Sequence, residues 1–508
     1  MTRDNNLYAR FLAAFPSDRS RIALVTERGR AVSYAEMDEA SARLSALLAE
    51  IGVKPGDRVT VQVDKSPEAL FLYFACLRAG AVYMPMNSGY TAAELSYFLG
   101  DAKPGLVVAT PKAFAEMQGL AAQAGCPHVL TLDAAGGGTL AERAASLAPK
   151  EAIADTKPDD VAAMLYTSGT TGRSKGAMLT HRNLISNAET LTAAWGFSAR
   201  DVLLHTLPIF HVHGLFVALG CALLSGAKML FHAGFDAEKA LDVIDQATVF
   251  MGVPTYYTRL LASPRLTRET LAGMRLFVSG SAPLLPETFS AFKERTGHAI
   301  LERYGMTETG MNCSNPLVGE RRLGTVGFPL PGVELRIADD QGRALPEGEV
   351  GVIEVRGPNV LKGYWNNPEK TREAFRADGF FITGDVAYRD KDGYVVIVGR
   401  ASDMIISGGY NVYPKEIETV IDTLPGVAES AVIGVPHPDF GEGVVAVIRR
   451  QPGRTPPPEP EIIARLKSQL AGFKVPKKLV IVDDLPRNAM GKVVKAELRK
   501  AHAGLFQG

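Results

Sequence analysis

The sequence is poor in cysteine, and the few cysteines form no pattern. No two of them make a Cys-x-x-Cys pair, so neither a disulfide framework nor a zinc site of paired cysteines is indicated. This usage is typical of a reducing compartment. The four positions are Cys76, Cys126, Cys221 and Cys313.

An excess of one charge is also missing. Lysine plus arginine number 55, and aspartate plus glutamate number 55. Bulk electrostatics therefore gives no basis for binding a nucleic acid or an anionic membrane, whereas a local basic patch for one phosphorylated ligand is compatible with the balance. We expect no nucleic-acid partner.

The chain lacks a long apolar run. The longest one, Gly214–Ala227, has about 14 residues and contains glycine and serine, whereas a membrane-spanning helix needs about 20. Near the N-terminus there is only a short apolar segment, Phe11–Phe15, and no signal-peptide core. The expected location is the cytoplasm, with no membrane partner.

Strands and helices alternate in the first part of the chain. At 508 residues the chain exceeds one ordinary core, so two or more domains are expected. Ser33 and Glu36 have capping-box spacing at the start of the first helix. Alternation of this kind indicates an α/β fold with a parallel sheet. The predicted helices and strands are Ala31–Gly52, Val59–Val63, Pro67–Leu77, Ala81–Met86 and Leu106–Ala109.

The middle of the chain holds five apolar strands, each followed by a loop of small, polar or aromatic residues. In open α/β sheets, ligands bind beyond the carboxyl ends of the strands. We therefore expect the five loops to face one crevice. The predicted strands are Val161–Leu165, Val202–Leu207, Thr248–Val253, Arg275–Val278 and His298–Tyr304, with a helix from Pro286 to about Arg295 before the last.

The pattern changes again near Gly324 and near Arg400. Short strands separated by Gly/Asp turns predict an antiparallel sheet or small barrel: Val333–Ile337, Gly351–Val355, Val386–Tyr388 and Tyr394–Val398. A small α+β domain follows, with predicted elements Lys415–Ile421, Ala431–Val435 and Glu461–Leu470. The predicted domains are residues 1–399 and 400–508.

The loop within Tyr166–Gly176 is built almost entirely of glycine, serine and threonine, with Arg173 and Lys175. Its backbone N–H groups, hydroxyls and mobile ammonium are what a polyphosphate needs. It lacks the spacing of a Walker A loop. A flexible surface linker is the alternative, but a linker would not normally follow a buried strand and place five hydroxyls beside a lysine.

Six motifs then occur in a fixed order along nearly the whole chain. They are Tyr166–Gly176, Tyr304–Thr309, Thr383–Asp385, Gly399-Arg400, Ser407–Gly409 and Pro486–Lys492. In this order they resemble the adenylate-forming superfamily of acyl-CoA synthetases, peptide-synthetase adenylation domains and luciferases. Two positions depart from that pattern: Ser174 stands where proline is frequent, and Ser402 stands at the interdomain hinge where aspartate or lysine is usual.

The resemblance implies a large N-terminal domain of α/β subdomains with a small β-barrel-like part, and a small C-terminal domain that rotates. Residues 1–399 would bind ATP and an acid, and residues 400–508 would form the mobile domain. A carboxylate would attack the α-phosphate of ATP and release pyrophosphate. Coenzyme A would then take the acyl group from AMP.

The resemblance also assigns roles on the ATP side. Thr307 would donate to the α-phosphate, Glu308 with Thr167 would bind Mg²⁺, and Tyr304, Asp385 and Arg400 would hold the nucleoside. A helix-start glutamate is the alternative reading of Glu308. The β- and γ-phosphates would be held by Thr167, Ser168, Gly169, Thr170, Thr171, Gly172 and Lys175.

In the C-terminal part, Lys492 would offset the repulsion between carboxylate and phosphate during adenylation. By charge alone it would be read as a solvated surface lysine, and only the motif favours the catalytic role. A lysine acyltransferase acting on Lys492 would remove that charge. Gly408 and Gly409 would line the path of the CoA thiol, since glycine leaves room for it.

Arg303 bears on which acid is used. A guanidinium suits a second carboxylate, which it can bind through two hydrogen bonds, although a structural arginine is the alternative. Together with Phe210–Gly214, the segment Leu301–Asn312 resembles the malonyl-CoA synthetase branch. By that resemblance His211, Ser279 and Met306 would help to form a small pocket for malonate, with methylmalonate as a secondary substrate.

Three alternatives remain open from the sequence. The first is a CoA ligase for another short-chain or dicarboxylic acid. The second is a nucleotide-binding protein that kept the fold without activity. In the third, a carrier protein replaces CoA as the acceptor, which the absence of a carrier motif after Lys492 disfavours.

Overall fold

The computed structural model describes residues 5–167, 174–488 and 492–506. Within these residues no helix is both long and apolar enough to cross a membrane. All four cysteines are free and buried.

The α-helices cover the sheets and include one long helix near the N-terminus. Their bounds are Leu7–Ala14, Tyr34–Glu50, Pro67–Ala79, Ala92–Ala102, Phe114–Gln123, Thr139–Ala145, His181–Ala194, Leu219–Ser225, Ala237–Leu241, Pro254–Ala262, Pro286–Thr296, Pro368–Ala374, Pro414–Ile421, Glu459–Gln469 and Lys495–His502. A π-helix, His213–Ala218, precedes Leu219–Ser225.

The capping box predicted at Ser33 and Glu36 is confirmed, but the helix bounds are corrected. The Glu36 N–H donates to Ser33 Oγ at 3.1 Å, and the Ser33 N–H donates to Glu36 Oε2 at 2.7 Å. An N-cap residue has extended backbone, and Ser33 has φ −78° and ψ 165°. The helix therefore starts at Tyr34, and Ala31–Ser33 forms a strand.

A nine-stranded sheet carries four of the five strands predicted in the middle of the chain. Its interior pairs are parallel and its two edges antiparallel. The strand order is Phe328–Pro329, Gly310–Ser314, Leu301–Met306, Leu276–Ser279, Val249–Gly252, Val202–His205, Lys228–Phe231, Ile22–Thr26 and Ala31–Ser33.

A seven-stranded sheet carries the remaining predicted strand. Four of its pairs are parallel, while the last two pairs at one end are antiparallel. The strand order is Gly363–Tyr364, Lys175–Thr180, Val161–Thr167, Val82–Pro85, Arg58–Gln62, Leu106–Ala109 and Val129–Thr131. The five strands are thus divided between two sheets, a separation that their common apolar pattern does not encode.

The helix Pro67–Ala79 is almost entirely buried, and it lies between the seven-stranded sheet and the π-helix His213–Ala218. The Tyr73 ring centroid is 5.0 Å from that of Tyr83 in the seven-stranded sheet and 6.1 Å from that of Phe216 in the π-helix. Because one apolar core includes residues of both sheets, the carboxyl ends of their strands are held in a fixed relation.

Residues after Gly324 form the small antiparallel part expected from the sequence. Its strands are Glu334–Ala338, Gly351–Arg356, Phe381–Arg389 and Val395–Arg400, in that order.

The C-terminal part has its own sheet and its own core. The strand order is Tyr410–Val412, Ile405–Ser407, Gly441–Arg450 and Val427–His437, and Lys478–Val482 also pairs with Gly441–Arg450. The mixed α/β class is confirmed.

Candidate active site

Strand Leu301–Met306 brings several of the predicted residues to the carboxyl edge of the nine-stranded sheet. It begins later than the sequence predicts, because Leu301 is its first residue that pairs with Val278 of the neighbouring strand. It then continues through Gly305 and Met306 into a turn and returns antiparallel as Gly310–Ser314. Thr307 and Glu308 lie in this turn.

The two sheets meet at the side chain of Glu308. Thr167 Oγ1, at the end of a strand in the seven-stranded sheet, donates to Glu308 Oε1 at 3.2 Å. The Tyr364 hydroxyl donates to the same oxygen at 3.3 Å. Lys175 pairs with Thr167 across the two strands, and its Nζ lies 4.4 Å from the Tyr364 ring centroid. Thr167, Lys175 and Glu308 are therefore brought together, as the sequence predicts.

This donor set suits Mg²⁺. A carboxylate and a hydroxyl offer hard oxygen ligands, and Mg²⁺ usually takes few protein ligands besides substrate phosphates and water. No group of three or more histidine, cysteine, aspartate or glutamate side chains with metal-binding geometry occurs in the described part of the chain.

Two asparagines that the sequence prediction missed stabilise the Thr307-Glu308 turn through hydrogen bonds to Thr309. Asn359 Nδ2 donates to the Thr309 carbonyl at 2.7 Å, and Asn312 Nδ2 donates to Thr309 Oγ1 at 2.7 Å. The Leu361 N–H donates to the Glu308 carbonyl at 2.7 Å. Asn312 lies three residues from Thr309, within the motif region, and that position was a signal, whereas Asn359 lies 50 residues from Thr309 and gave none.

On the nucleoside side, Asp385 is the centre of a buried cluster. The Tyr304 hydroxyl donates to Asp385 Oδ2 at 2.5 Å, and Arg400 Nε lies 2.8 Å from Oδ1. Burial raises the pKa of Asp385, whereas Arg400 and the Tyr304 hydroxyl lower it. The three residues predicted to hold the nucleoside are thus in direct contact with one another.

Lys492 lies near the Asp385 cluster on the nucleoside side and near Arg303 on the acid side. Lys492 is an exposed residue, yet desolvation by the protein around it lowers its pKa. Arg400 and Arg303 lower this pKa further, while Asp385 and Glu308 raise it. Lys492 also lowers the pKa of His211, which burial and neighbouring cations bring to about 3. His211 is therefore neutral at physiological pH.

Arg303 is buried beneath the surface of the site. Its residue surface is 3% exposed, and neither Nε nor Nη2 has a hydrogen-bond partner among the described residues. Burial lowers its pKa to about 10. A Cβ on Gly280 would lie 2.4 Å from Arg303 Cζ, so a glycine is needed there to make room.

Ser279 and Met306 border the same region. Ser279 ends the strand beside Leu301–Met306, is fully buried, and its Oγ has no partner in the described part of the chain. Met306 is half-buried and precedes Thr307. Gly280, missed by the sequence prediction, could have been found from its place between Ser279 and Ser281 in a loop after a buried strand.

Two groups of predicted residues keep their roles as predictions. The first group lies outside the described residues: Ser168, Gly169, Thr170, Thr171 and Gly172. Gly408 and Gly409 form the turn of a hairpin with φ of +60° and +83°. A two-residue hairpin turn favours glycine at such angles, so the fold explains both residues without a ligand.

The arrangement brings a metal-compatible carboxylate, a ribose-compatible carboxylate and a lysine around one crevice. Residues 12–365 match the AMP-binding enzyme family, and residues 416–492 match the AMP-binding enzyme C-terminal domain. The chain belongs to the AMP-binding enzyme family.

Similar proteins cover nearly the whole of this AMP-binding enzyme. It is 37% identical to a feruloyl-CoA synthase of an Amycolatopsis species, over 96% of this chain and 98% of the relative. It is 36% identical to a malonate–CoA ligase of Arabidopsis thaliana, over 98% and 90%. The crystal structure of ATP-bound MatB from Rhodopseudomonas palustris is 53% identical over 99% of both chains, with a TM-score of 0.96.

The apo crystal structure of the same MatB gives a TM-score of 0.86 at the same identity and coverage. This AMP-binding enzyme is therefore arranged more like the ATP-bound form. The relatives support the general activity, which is ligation of an acid to CoA through an acyl-adenylate, with ATP and CoA as substrates.

Proposed function

We propose that this enzyme ligates malonate to coenzyme A, with methylmalonate as a secondary substrate. The observation that carries the proposal is Arg303, a buried cation with two unpaired guanidinium nitrogens beside Ser279. A second carboxylate would pair with both nitrogens. The malonate–CoA ligase relative supports this choice of acid.

The feruloyl-CoA synthase relative has similar identity, so identity does not choose the acid. The site itself supports the choice. An aromatic or a simple aliphatic acid would leave Arg303 buried and unpaired, which costs roughly 3–5 kcal/mol. At about 1.4 kcal/mol per decade, acetate or propionate should be disfavoured by roughly 10²–10³. The extra methyl of methylmalonate is worth only about 1–3 kcal/mol.

In the first half-reaction, one malonate oxygen attacks the α-phosphorus of ATP and pyrophosphate leaves. Lys492 offsets the repulsion between the two anions and stabilises the charge that develops on the phosphoryl oxygens. Thr307 donates its hydroxyl to the α-phosphate. Asp385 and Arg400 hold the ribose hydroxyls, and Arg303 fixes the far carboxylate, so that only one carboxylate reaches phosphorus.

Mg²⁺, held by Glu308 and Thr167, would neutralise phosphate charge. The predicted Gly/Thr loop and Lys175 would keep the β- and γ-phosphates in place as the leaving group. In the second half-reaction the CoA sulfur attacks the acyl carbonyl, a C–S bond forms, and the C–O bond to AMP breaks.

We also propose that residues 400–508 form the mobile domain that rotates between the half-reactions. Residues 1–399 would then keep ATP and the acid in place. Gly408 and Gly409 would border the thiol path after rotation. Acylation of Lys492 by a lysine acyltransferase stays a prediction, whose effect would be loss of the ammonium that the first half-reaction uses.

The experiment is a panel of acids. Purified enzyme with ATP, Mg²⁺ and CoA is given malonate, methylmalonate, succinate, propionate, acetate or ferulate, and both pyrophosphate and the acyl-CoA are measured. Malonate should give the highest kcat/KM. Equal values for malonate and acetate, or a preference for ferulate, would contradict the proposal.

A further inference from the structure

Two ion pairs attach the last helix, Lys495–His502, to the rest of the C-terminal part. Lys495 Nζ lies 2.6 Å from Glu418 Oε1, and Arg499 Nη2 lies 2.6 Å from Asp403 Oδ1. Because Lys495 and Arg499 are one helical turn apart, they lie on the same face of the helix. The most exposed of the four side chains is 31% exposed, so solvent and salt screen these pairs less than pairs on an open surface.

The carboxylate of Glu418 has a fixed place in the C-terminal core. Glu418 lies on the helix Pro414–Ile421, and its Oε1 also accepts the N–H of Val432 at 2.9 Å. Val432 is fully buried within the strand Val427–His437. The group that receives Lys495 is therefore held by both a helix and a strand.

The second pair reaches the segment beside the nucleoside cluster. Asp403 ends the short 3-10 helix Ala401–Asp403, which follows Arg400 directly. Arg400 in turn pairs with Asp385. The contact between Arg499 and Asp403 thus connects the last helix to the chain next to the ribose-compatible carboxylate.

Lys492 lies just before this helix and is bonded to its start. The Lys492 N–H donates to Asn488 Oδ1 at 3.0 Å, and the Asn488 N–H donates to the Lys492 carbonyl at 2.9 Å. Val494, the N-cap residue of the helix, donates its N–H to the Pro486 carbonyl at 2.8 Å. A displacement of the helix would therefore displace Lys492 as well.

We propose that Glu418 and Asp403 are positioning residues for Lys492. Through Lys495 and Arg499 they fix the helix that follows Lys492, and thereby the place of its ammonium beside the nucleoside cluster. The inference rests on the proposed function for the role of Lys492 in the first half-reaction, but it does not depend on which acid is used. A misplacement of about 1 Å in a catalytic group can cost roughly 10²-fold in rate.

The first test uses matched changes at Lys495. Lys495→Met keeps an apolar stem of similar length and loses the ammonium, whereas Lys495→Arg keeps a cation that can pair with Glu418. In Lys495→Met we expect the kcat of the first half-reaction to fall roughly 10–100-fold while the KM for ATP stays within about 2-fold. Lys495→Arg should recover most of this loss. Lys500→Met, at an exposed lysine of the same helix, is the control.

The second half-reaction distinguishes lost position from lost folding. Conversion of supplied acyl-AMP and CoA to acyl-CoA does not use the Lys492 ammonium, so Lys495→Met should retain it within about 2-fold. Glu418→Gln loses the charge yet keeps an acceptor for the Val432 N–H, and it should give the same result. Equal losses in both half-reactions would overturn the inference, and thermal unfolding checks that each variant folds.

A double substitution tests whether Lys495 acts through Lys492. Pyrophosphate released in a single turnover without CoA measures the residual adenylation of Lys492→Ala. Because residues that act through one group are not additive, adding Lys495→Met should lower this residual rate by less than about 2-fold. A further loss of about 10-fold would show that Lys495 acts elsewhere and would overturn the inference. Arg499→Gln should behave as Lys495→Met does in both backgrounds.

The outcomes keep this inference apart from the proposed function. A native preference for another acid overturns the choice of malonate alone, because the half-reactions are then compared with that acid. If Lys492→Ala adenylates as fast as the native enzyme, the role of Lys492 fails and the inference fails with it. If Lys492→Ala loses adenylation while Lys495→Met and Arg499→Gln keep it, only the inference fails.

Discussion

Arg400 Nε lies 2.8 Å from Asp385 Oδ1, so the residue at the proposed domain boundary pairs with a buried carboxylate of the N-terminal part. The two residues also face each other across adjacent antiparallel strands. Desolvation raises the pKa of the Asp385 carboxyl, and Arg400 opposes that rise. An ionised carboxylate accepts hydrogen bonds from a ribose diol, while the guanidinium holds its orientation.

Asp385→Asn tests this role. The amide keeps the shape but loses the charge, and it leaves Arg400 without its partner. Charge-assisted hydrogen bonds contribute about 1.5–3 kcal/mol each, so the KM for ATP should rise roughly 10–100-fold. Steady-state pyrophosphate release measures it. Asp340→Asn, at an exposed aspartate, is the matched control and should leave the KM for ATP unchanged.

Glu308 and Tyr364 give a prediction about magnesium. Because Tyr364 donates to Glu308 Oε1, its hydroxyl orients the carboxylate. Tyr364→Phe should raise the Mg²⁺ concentration for half-maximal rate by roughly 10-fold, as for other residues that orient a metal ligand. Glu308→Gln, which removes the ligand charge itself, should raise it further.

A magnesium titration of pyrophosphate release measures both variants. Glu349→Gln, at an exposed glutamate, is the control. If Tyr364→Phe affects magnesium more than Glu308→Gln does, Glu308 is not the ligand and the residues near Tyr364 must be reconsidered.

The sequence predicts the site better than it predicts the fold around it. Thr167, Glu308, Asp385 and Arg400 follow from motifs, and in the structure Thr167 contacts Glu308 while Asp385 pairs with Arg400. The division of the five strands between two sheets does not follow, because a buried parallel strand has the same apolar pattern in either sheet. Neither does the burial of Arg303, whose guanidinium lies within 2.4 Å of the place that a Cβ on Gly280 would take.

The supporting residues are harder still to predict. Asn359 holds the Thr309 carbonyl from 50 residues away, and no local pattern indicates such a bond. Ser281 looks like an ordinary loop serine in the sequence, yet its φ is +72°. Gly408 and Gly409 illustrate the reverse case, in which a motif suggests a ligand role and the turn geometry alone already requires glycine.

Arg303→Lys and Arg303→Leu test the acid pocket. Lysine keeps the charge but loses the paired geometry, and leucine removes both. We expect malonate kcat/KM to fall in both variants, more in Arg303→Leu, where the loss should reach roughly 10²–10³. Propionate should be used relatively better by Arg303→Leu than by the native enzyme, because no buried charge is left unpaired.

Acyl-CoA formation with the two acids measures this change. Arg454→Leu, at an exposed arginine, is the control. An unchanged kcat and KM for malonate in Arg303→Leu would remove Arg303 from the pocket.

Lys492→Ala separates the two half-reactions. Without the ammonium, adenylation should be lost, because two anions must meet in the crevice. Conversion of supplied malonyl-AMP and CoA to malonyl-CoA should be retained, since the sulfur attacks a neutral carbonyl. Lys500→Ala, at an exposed lysine of the last helix, is the control. Equal loss of both half-reactions would indicate a folding defect or a different role.

The pH dependence of adenylation should report the same ammonium. Adenylation needs the protonated form, and desolvation together with Arg400 lowers the pKa of Lys492 below its ordinary value of 10.5. The rate of the first half-reaction should therefore fall as the pH rises through this lowered pKa, earlier than for an exposed lysine. Lys492→Arg keeps its charge at alkaline pH. Its first half-reaction, although slower, should lack that alkaline decline, and an identical decline in both enzymes would assign the ionisation to another group.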